Sequence, residues 1–377
     1  MRRVVLIDPF STGHHVSYAR ILAKGLRNRG SEVVAIGDPQ LLKGLGNLII
    51  EGVPLELQGK GEAIIREWQK FHYMQVAVNF AQKMKPDIIH FLYLDRFALV
   101  LAMSGVLGMQ YRATLHWGYM LPEFLSRPLQ RVRAAFEVRA LRRLAARGFR
   151  IIVHSRWLQK SLAERVGHRT FDFVPYPVEP HDSSESRLRA RLLRESLGLP
   201  KGSRLVLVFG GTRYDKGVDL AVKALMHLDT YWHLLVAGKS ESFDEVTLLE
   251  LARRHGVRER LHLHLQYIPE EIINDFFLAA DVVLLPYRSI FSGQSGPLTL
   301  AASLGIPVAA ASVPVLAETV EQYRLGVLFP PEDICGMAQA LRVLEEKQIC
   351  TLQSEFCRDH SPDAFIEAVM KSYVSSE

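Results

Sequence analysis

Short runs of β-branched and aliphatic residues, each followed by a stretch with helical spacing, recur along this chain in two series. That alternation marks βαβ units, which close as parallel sheets flanked by helices. In the first series the strand runs are Val4–Asp8, Val33–Ile36, Asp87–Tyr93, Arg112–His116 and Arg150–His154. Helices are predicted over Val16–Arg29, stopped by Gly30, and over about Glu62–Met84, stopped by Pro86. A break follows at Pro175–Arg187, where Pro, Ser and acidic residues cluster. The second series places strands at Arg204–Phe209, His233–Ala237, Leu261–Leu265, Asp281–Leu285 and Pro307–Ala310. Its helices begin near Gly217, Asp244, Pro269, Gly296 and Pro314, and a last one is capped by Ser361 with Pro362 at its first position.

A chain of 377 residues is too long for one ordinary core and right for two. The reading is an α/β chain of two Rossmann-like domains. The first covers residues 1–178, a linker 179–200, the second domain 201–358, and residues 359–377 form a helix packing back on the first domain. Apolar residues at 48% with charged residues at 23% exclude a disordered chain. The longest apolar run, Phe97–Met109, is broken by Ser104, Gly105 and Gly108 and is too short to cross a bilayer. The opening residues reach Asp8 without the apolar core of a signal peptide. Cys335, Cys350 and Cys357 show no metal-site or redox-pair spacing, so a cytoplasmic protein is expected.

Charge is uneven. Residues 1–180 hold 26 Lys+Arg against 14 Asp+Glu, a net of +12, and residues 181–377 hold 20 against 26, a net of −6. The segment Arg127–Arg150 carries eight arginines and one Glu137, with apolar residues at helical spacing. Two readings stand open. The arginines are the solvated face of an ordinary sheet-packing helix, or they meet an anionic membrane surface. Nucleic acid is disfavoured, because few aromatic residues interleave with the charges.

Two loops are chemically suggestive. After the first strand of the second series, Gly210 and Gly211 leave room for a ligand, and Arg213 and Lys216 follow just before a helix near Gly217. Backbone N–H groups, a helix dipole and two cations together suit a diphosphate. After the strand ending near Leu285, Gln294, Ser295 and Gly296 lead into a small-residue helix and offer a second set of N–H donors. Ser295 is read as that helix's N-cap and as a phosphate contact. In the first domain, Gly13, His14 and His15 form the turn after strand one, and Asp8 and Asp95 near strand ends are candidate bases.

Taken in order, FGGTRYDKG, LLVAG, ADVVLLPYR…SGQSG, GIPVAA and AETVEQYRLGVLF resemble the nucleotide-sugar domain of GT-B glycosyltransferases of family 4. TGHHVSYARILAKGLRNRG, ATLHWGY and IIVHSRWLQKSL resemble the family's first domain, so the likeness runs from Val4 to about Leu344. The resemblance implies two domains facing across a cleft and a retaining, metal-independent transfer of a hexose from a nucleotide diphosphate sugar to an acceptor hydroxyl. No other cofactor is implied. Arg213, Lys216, Gly210, Gly211, Gln294, Ser295, Gly296 and Glu318 would bind the donor, and Gly13, His14 and His15 the acceptor. His116 aligns with a histidine beside the reacting sugar and joins Arg213 and Lys216 as a catalytic candidate. The chain departs from the pattern at Ser292 and Leu300, where many members carry two glutamates. A non-catalytic relative that binds a nucleotide sugar or a partner therefore remains a second reading, and a basic membrane-surface binder a third.

Overall fold

The computed structural model describes residues 2–11, 15–57, 63–95, 97–108, 110–121, 128–167, 170–179, 183–346 and 351–374. The chain divides into two compact units, Met1–Pro177 with His360–Glu377, and Val178–Asp359.

The first unit is built on strands β1 (Arg3–Asp8), β2 (Glu32–Gly37), β3 (Glu51–Pro54), β4 (Ile88–Phe91), β5 (Tyr111–Leu115), β6 (Arg150–Val153) and β7 (Phe171–Phe173). They form one parallel sheet in the order β3-β2-β1-β4-β5-β6-β7. Successive strand residues point to opposite faces. Val5, Ile7, Val34 and Ile36 enter one core with the helix Ala63–Lys83, while Val4, Leu6, Val33 and Ala35 enter another with the helix His15–Asn28. Both faces are thus covered, as a parallel sheet requires.

The second unit carries β8 (Arg204–Phe209), β9 (Trp232–Ala237), β10 (Leu261–His264), β11 (Val282–Leu285), β12 (Val308–Ala311) and β13 (Gly326–Phe329), ordered β10-β9-β8-β11-β12-β13 and parallel throughout. In each sheet the strand order reverses beside the first strand, between β1 and β4 and between β8 and β11. Crossovers on the two sides of such a point run over opposite faces, which opens a crevice at the strands' carboxyl ends.

Several elements differ from the sequence reading. The edge strands β3, β7 and β13 lacked a long enough β-branched run to be recognised: β3 reads EGVP and β7 only FDF. The 179–200 segment, read as a linker, contains the helix Ser184–Ser196 of the second unit. Its serines mark a helix start: the Ser183 side chain accepts from the Ser186 N–H. Arg189 then ties this helix to Asp275 of the helix Glu270–Ala279, through Nε at 2.5 Å and Nη2 at 3.2 Å.

The last helix, Pro362–Val374, completes the first unit. Ser361 caps it by accepting from the Ala364 N–H at 3.2 Å. Phe365, Ile366, Val369 and Tyr373 are buried in the same core as Leu6 and Leu22. Beneath them the buried Arg112 donates to the carbonyls of Ser372 (2.8 Å) and Tyr373 (3.2 Å), and His90 bonds the Tyr373 hydroxyl at 2.8 Å. Phe365→Ala should therefore cost about 3–5 kcal/mol, the usual penalty for emptying a phenylalanine site. Urea unfolding followed by tryptophan fluorescence would measure it; a loss below about 1 kcal/mol would show the helix to be only loosely attached.

Candidate functional site

In the second unit, β8 ends at Phe209 and the chain turns at Gly210 with φ near +108°, a conformation that favours glycine. The Lys216 ammonium occupies the space a Gly210 Cβ would need, and the Glu241 carboxylate lies equally close against Gly211. The turn continues through a 3-10 segment, Tyr214–Lys216, into Gly217, whose φ of +64° and close approach to the Pro286 carbonyl also demand glycine. Pro286 follows β11. The two loops at the β8/β11 reversal are therefore pressed together.

Arg213 and Lys216 differ in electrostatic situation. Arg213 is clamped by Asp215, Nε to Oδ1 at 2.9 Å and Nη2 to Oδ2 at 2.7 Å. Burial is the largest influence and works against its charge, but the Asp215 bond together with the charges of Asp215, Tyr287 and Glu241 outweighs it and holds its pKa above the ordinary value. Lys216 has no carboxylate within ion-pair distance among the described residues, and burial, followed by the neighbouring Arg213 charge, pulls its pKa down to about 8. It is a half-buried cation lacking a close counter-ion, beside a glycine turn and at the start of the helix Val218–Ala224.

The loop after β11 is more enclosed than its sequence suggested. Ser295 caps the helix Gly296–Ser303 by accepting from the Leu298 N–H at 3.2 Å, and its hydroxyl also meets the Tyr287 hydroxyl at 3.1 Å. Pro297 has no N–H, so the expected set of donors shrinks toward Gly296, where no atom blocks approach. Gln294 turns its amide to the Thr299 hydroxyl at 3.3 Å. Ser292 is buried and Leu300 half-buried, while Glu318 lies half-buried on the helix Pro314–Gln322 after β12.

Sequence reasoning missed the side chain that joins these loops. Arg288, 8% exposed, donates from Nη2 to Asp219 Oδ2 at 2.8 Å and from Nη1 to the Tyr214 carbonyl. Its guanidinium lies 3.9 Å from the Tyr214 ring centre, and its backbone N–H donates to the Asp215 carbonyl at 2.9 Å. No local pattern marks this pairing, since Arg288 and Asp219 are 69 residues apart.

The first unit gathers its own polar cluster at the carboxyl ends of β1, β4, β5 and β6. His116 follows β5, is buried, and places Nε2 3.1 Å from the Leu92 carbonyl, so that nitrogen carries the proton. Asp95 accepts from the N–H groups of His116 (2.9 Å) and Trp117 (2.8 Å), which fixes the chain just past the strand. Burial lifts Asp95 to about 7 despite these bonds. The His116 ring stacks on Tyr93 at 5.5 Å and faces His154 at 5.2 Å. Burial takes His154 down to about 4, which keeps it neutral. His15 opens the first helix, with Nδ1 2.9 Å from Asp8 Oδ2 and its ring 4.9 Å from Tyr93. Asp8, raised by burial, thus orients His15 as well as accepting from the Phe10 N–H. Gly13 and His14 lie outside the described residues.

The geometry matches known proteins. The whole chain has the fold of GT-B glycosyltransferases. Sucrose-phosphate synthase from Thermosynechococcus elongatus superposes with a TM-score of 0.77 at 18% identity, over 99% of this chain and 98% of that one. HepE from Anabaena, in complex with UDP and glucose, gives 0.73 at 16% identity over the full length of both. Residues 203–347, within the second unit, match the family model described as glycosyl transferases group 1. D-inositol 3-phosphate glycosyltransferase of Xylanimonas cellulosilytica is 35% identical over 154 residues, 40% of this chain and 36% of the relative. 2-Deoxystreptamine glucosyltransferase of Streptomyces kanamyceticus is 26% identical over 64% of this chain and 63% of the relative. The chain thus spans between a third and two thirds of the length of these curated relatives.

The Asp95 carboxyl makes stability pH-dependent. With a folded pKa of about 7 against 3.8 in the open chain, it stabilises the fold fully below pH 4, and this contribution is lost as pH rises through 7. Unfolding free energies from denaturant titrations should fall by up to about 1.4 kcal/mol per pH unit between pH 5 and 7 from this group and level off by pH 8, and Asp95→Asn should flatten the slope. An unchanged slope in that variant would assign the effect elsewhere.

Proposed function

We propose that the protein is a glycosyltransferase that moves a hexose from a nucleotide diphosphate sugar to an acceptor hydroxyl. Lys216, a buried-side cation without a close carboxylate at the β8/β11 reversal, carries the reading. Enzymes of this kind make a leaving diphosphate, and a poorly solvated ammonium beside a glycine turn and a helix start favours the charge that builds on it. Arg213, the N–H groups of Gly211 and Gly296, and the Ser295 cap would join Lys216, with Gln294 and Glu318 as further donor contacts; the Gly210 N–H is already donated to the Ala237 carbonyl at 2.8 Å, so Gly210 would contribute only space. His116, held in place by Asp95 beneath it, would meet the reacting sugar. His15 and the neighbouring Gly13 and His14 would meet the acceptor. In the transfer, the acceptor oxygen forms the bond to the anomeric carbon as the bond to the diphosphate oxygen breaks, and the hydroxyl proton passes to the departing phosphate. Retention of configuration and independence from metal belong to this proposal through the family resemblance.

Nucleotide panels test the reading. UDP, GDP, ADP, TDP and their sugar conjugates at 100 times the dissociation constant should add about 2.7 kcal/mol of stability for the true donor class. Lys216→Ala should weaken that nucleotide by roughly tenfold to a hundredfold, the worth of a charged hydrogen bond. For wild type, affinity should fall as pH rises through about 8, because the anion binds the protonated lysine. Absence of stabilisation by every nucleotide at millimolar concentration would overturn the proposal. Stabilisation without turnover would favour the non-catalytic relative that Ser292 and Leu300 suggest.

The acceptor side carries a further part of the proposal, an anionic membrane surface. Along the helix Pro128–Ala146, Ala134, Glu137, Ala140, Leu141 and Leu144 are buried, which accounts for the inner stripe as sheet packing. On the opposite side Val132 and Phe136 are more than half exposed and are followed at helical spacing by exposed Arg139 and Arg143. Not every arginine of the segment is available. Arg142 donates to the Arg165 carbonyl at 2.8 and 2.7 Å, Arg147 to that of Ala102, and Arg150 pairs with Asp172. No helix among the described residues is long and apolar enough to span a membrane, so contact would be at the surface. Sedimentation with phosphatidylglycerol vesicles should fall severalfold in Phe136→Ala and in Arg139→Gln/Arg143→Gln, whereas phosphatidylcholine vesicles should bind little. Equal binding by the variants would remove the membrane from the proposal.

A further inference from the structure

We propose that Arg288 is a positioning residue for the donor diphosphate, holding the Tyr214–Lys216 turn so that the Lys216 ammonium stands over Gly210. The inference rests on the donor site proposed above and adds a residue that does not itself touch the donor. A surface turn of three residues has little of its own to hold it: Lys216 N–H bonds the Arg213 carbonyl at 3.1 Å and Gly217 N–H the Tyr214 carbonyl at 3.2 Å. The Tyr214 N–H donates to Ser242 Oγ at 3.1 Å and the Tyr214 ring stacks on Phe243, and Arg288 adds the hold from the loop after β11. It binds consecutive carbonyls of the turn, Tyr214 through its side chain and Asp215 through its backbone, and its plane covers the Tyr214 ring. It also pairs with Asp219 in the helix that the turn leads into.

Two observations make this a clamp for the turn and not a second phosphate ligand. Both terminal nitrogens are engaged by the turn and by Asp219, and the side chain is 8% exposed. Asp219 also keeps Oδ1 buried with no hydrogen-bond partner, so its charge is tolerated in the fold only because Arg288 faces it. The planar fork that reaches a carboxylate and a carbonyl while stacking on an aromatic ring is an arginine property that lysine does not share. Through Asp215, Arg288 acts on both cations of the loop. The Asp215 carbonyl is fixed by Arg288, and its carboxylate takes Arg213, leaving Lys216 as the cation presented without a close carboxylate.

Reductive methylation with 13C-formaldehyde, followed by NMR titration of the dimethyl-lysine signals, tests the clamp without any ligand. The Lys216 signal is identified by its disappearance in Lys216→Arg. In the wild type it should titrate well below the other lysines. In Arg288→Ala it should move up by a unit or more toward them, as the released turn carries the amine into water. The affinity for the stabilising nucleotide should fall tenfold or more in parallel. Arg288→Gln, which keeps bulk and one donor, should show the same displacement to a smaller extent and serves if the alanine variant does not fold. A Lys216 titration that is the same in wild type and both variants overturns the inference. A displaced titration with no nucleotide bound by the wild type sustains the clamp and refutes the donor reading.

Discussion

Parallel strand pairing with a single reversal of order is the constraint from which the rest follows. Because parallel neighbours cannot be joined by a tight turn, each pair of consecutive strands is bridged by a crossover that covers one face of the sheet. Where β9 lies on one side of β8 and β11 on the other, those crossovers leave in opposite directions and the ends of β8 and β11 stay uncovered. Loops 210–217 and 286–296 meet in that gap. Their contact is close enough that Gly217 has to be a glycine against the Pro286 carbonyl. The first unit repeats the arrangement with β1 and β4, and there rings gather, with His15 tilted against Tyr93 and His116 stacked on it.

The two units treat buried charge differently. In the loops after β8 and β11 of the second, two guanidinium groups are matched by carboxylates, Arg213 by Asp215 and Arg288 by Asp219, and Lys216 is left without a close one. In the first, the carboxyls Asp8 and Asp95 are buried and both are shifted toward the neutral form, while His154 is shifted the same way from the basic side. Surroundings that suppress charge favour uncharged partners, and a cation left over favours an anion.

Much of the architecture was legible because it depends on local pattern. Runs such as VVLI and LVLVF fix buried strands, and the caps Asp244, Ser295 and Ser361 mark helix starts that need only a few neighbouring residues. The short edge strands were not legible, since EGVP and FDF owe their conformation to the neighbour they pair with. The helix Ser184–Ser196 was hidden because a serine cluster signals a break and a cap alike, and only packing on Glu270–Ala279 decides between them. At the site, the glycines and Lys216 stood out in one loop. Arg288 did not, because its meaning lies in Asp219 and Tyr214 of another loop, and pairing across 69 or 74 residues leaves no trace in spacing. The Asp215 clamp on Arg213 was visible in the string RYDK, yet whether such neighbours turn toward each other depends on the 3-10 turn between them.

The closing helix gives the chain an unusual order of assembly. Residues 178–359 form one unbroken stretch with their own sheet, whereas the first unit needs both residues before 177 and residues after 360. During synthesis the second unit can complete its core while the first still lacks Phe365, Val369 and Tyr373, leaving Leu6, Leu22 and the Arg112 guanidinium without their cover. The half with the excess of basic residues is therefore the half that stays open after the other has closed, and its apolar core is sealed only once residues 360–374 have been made.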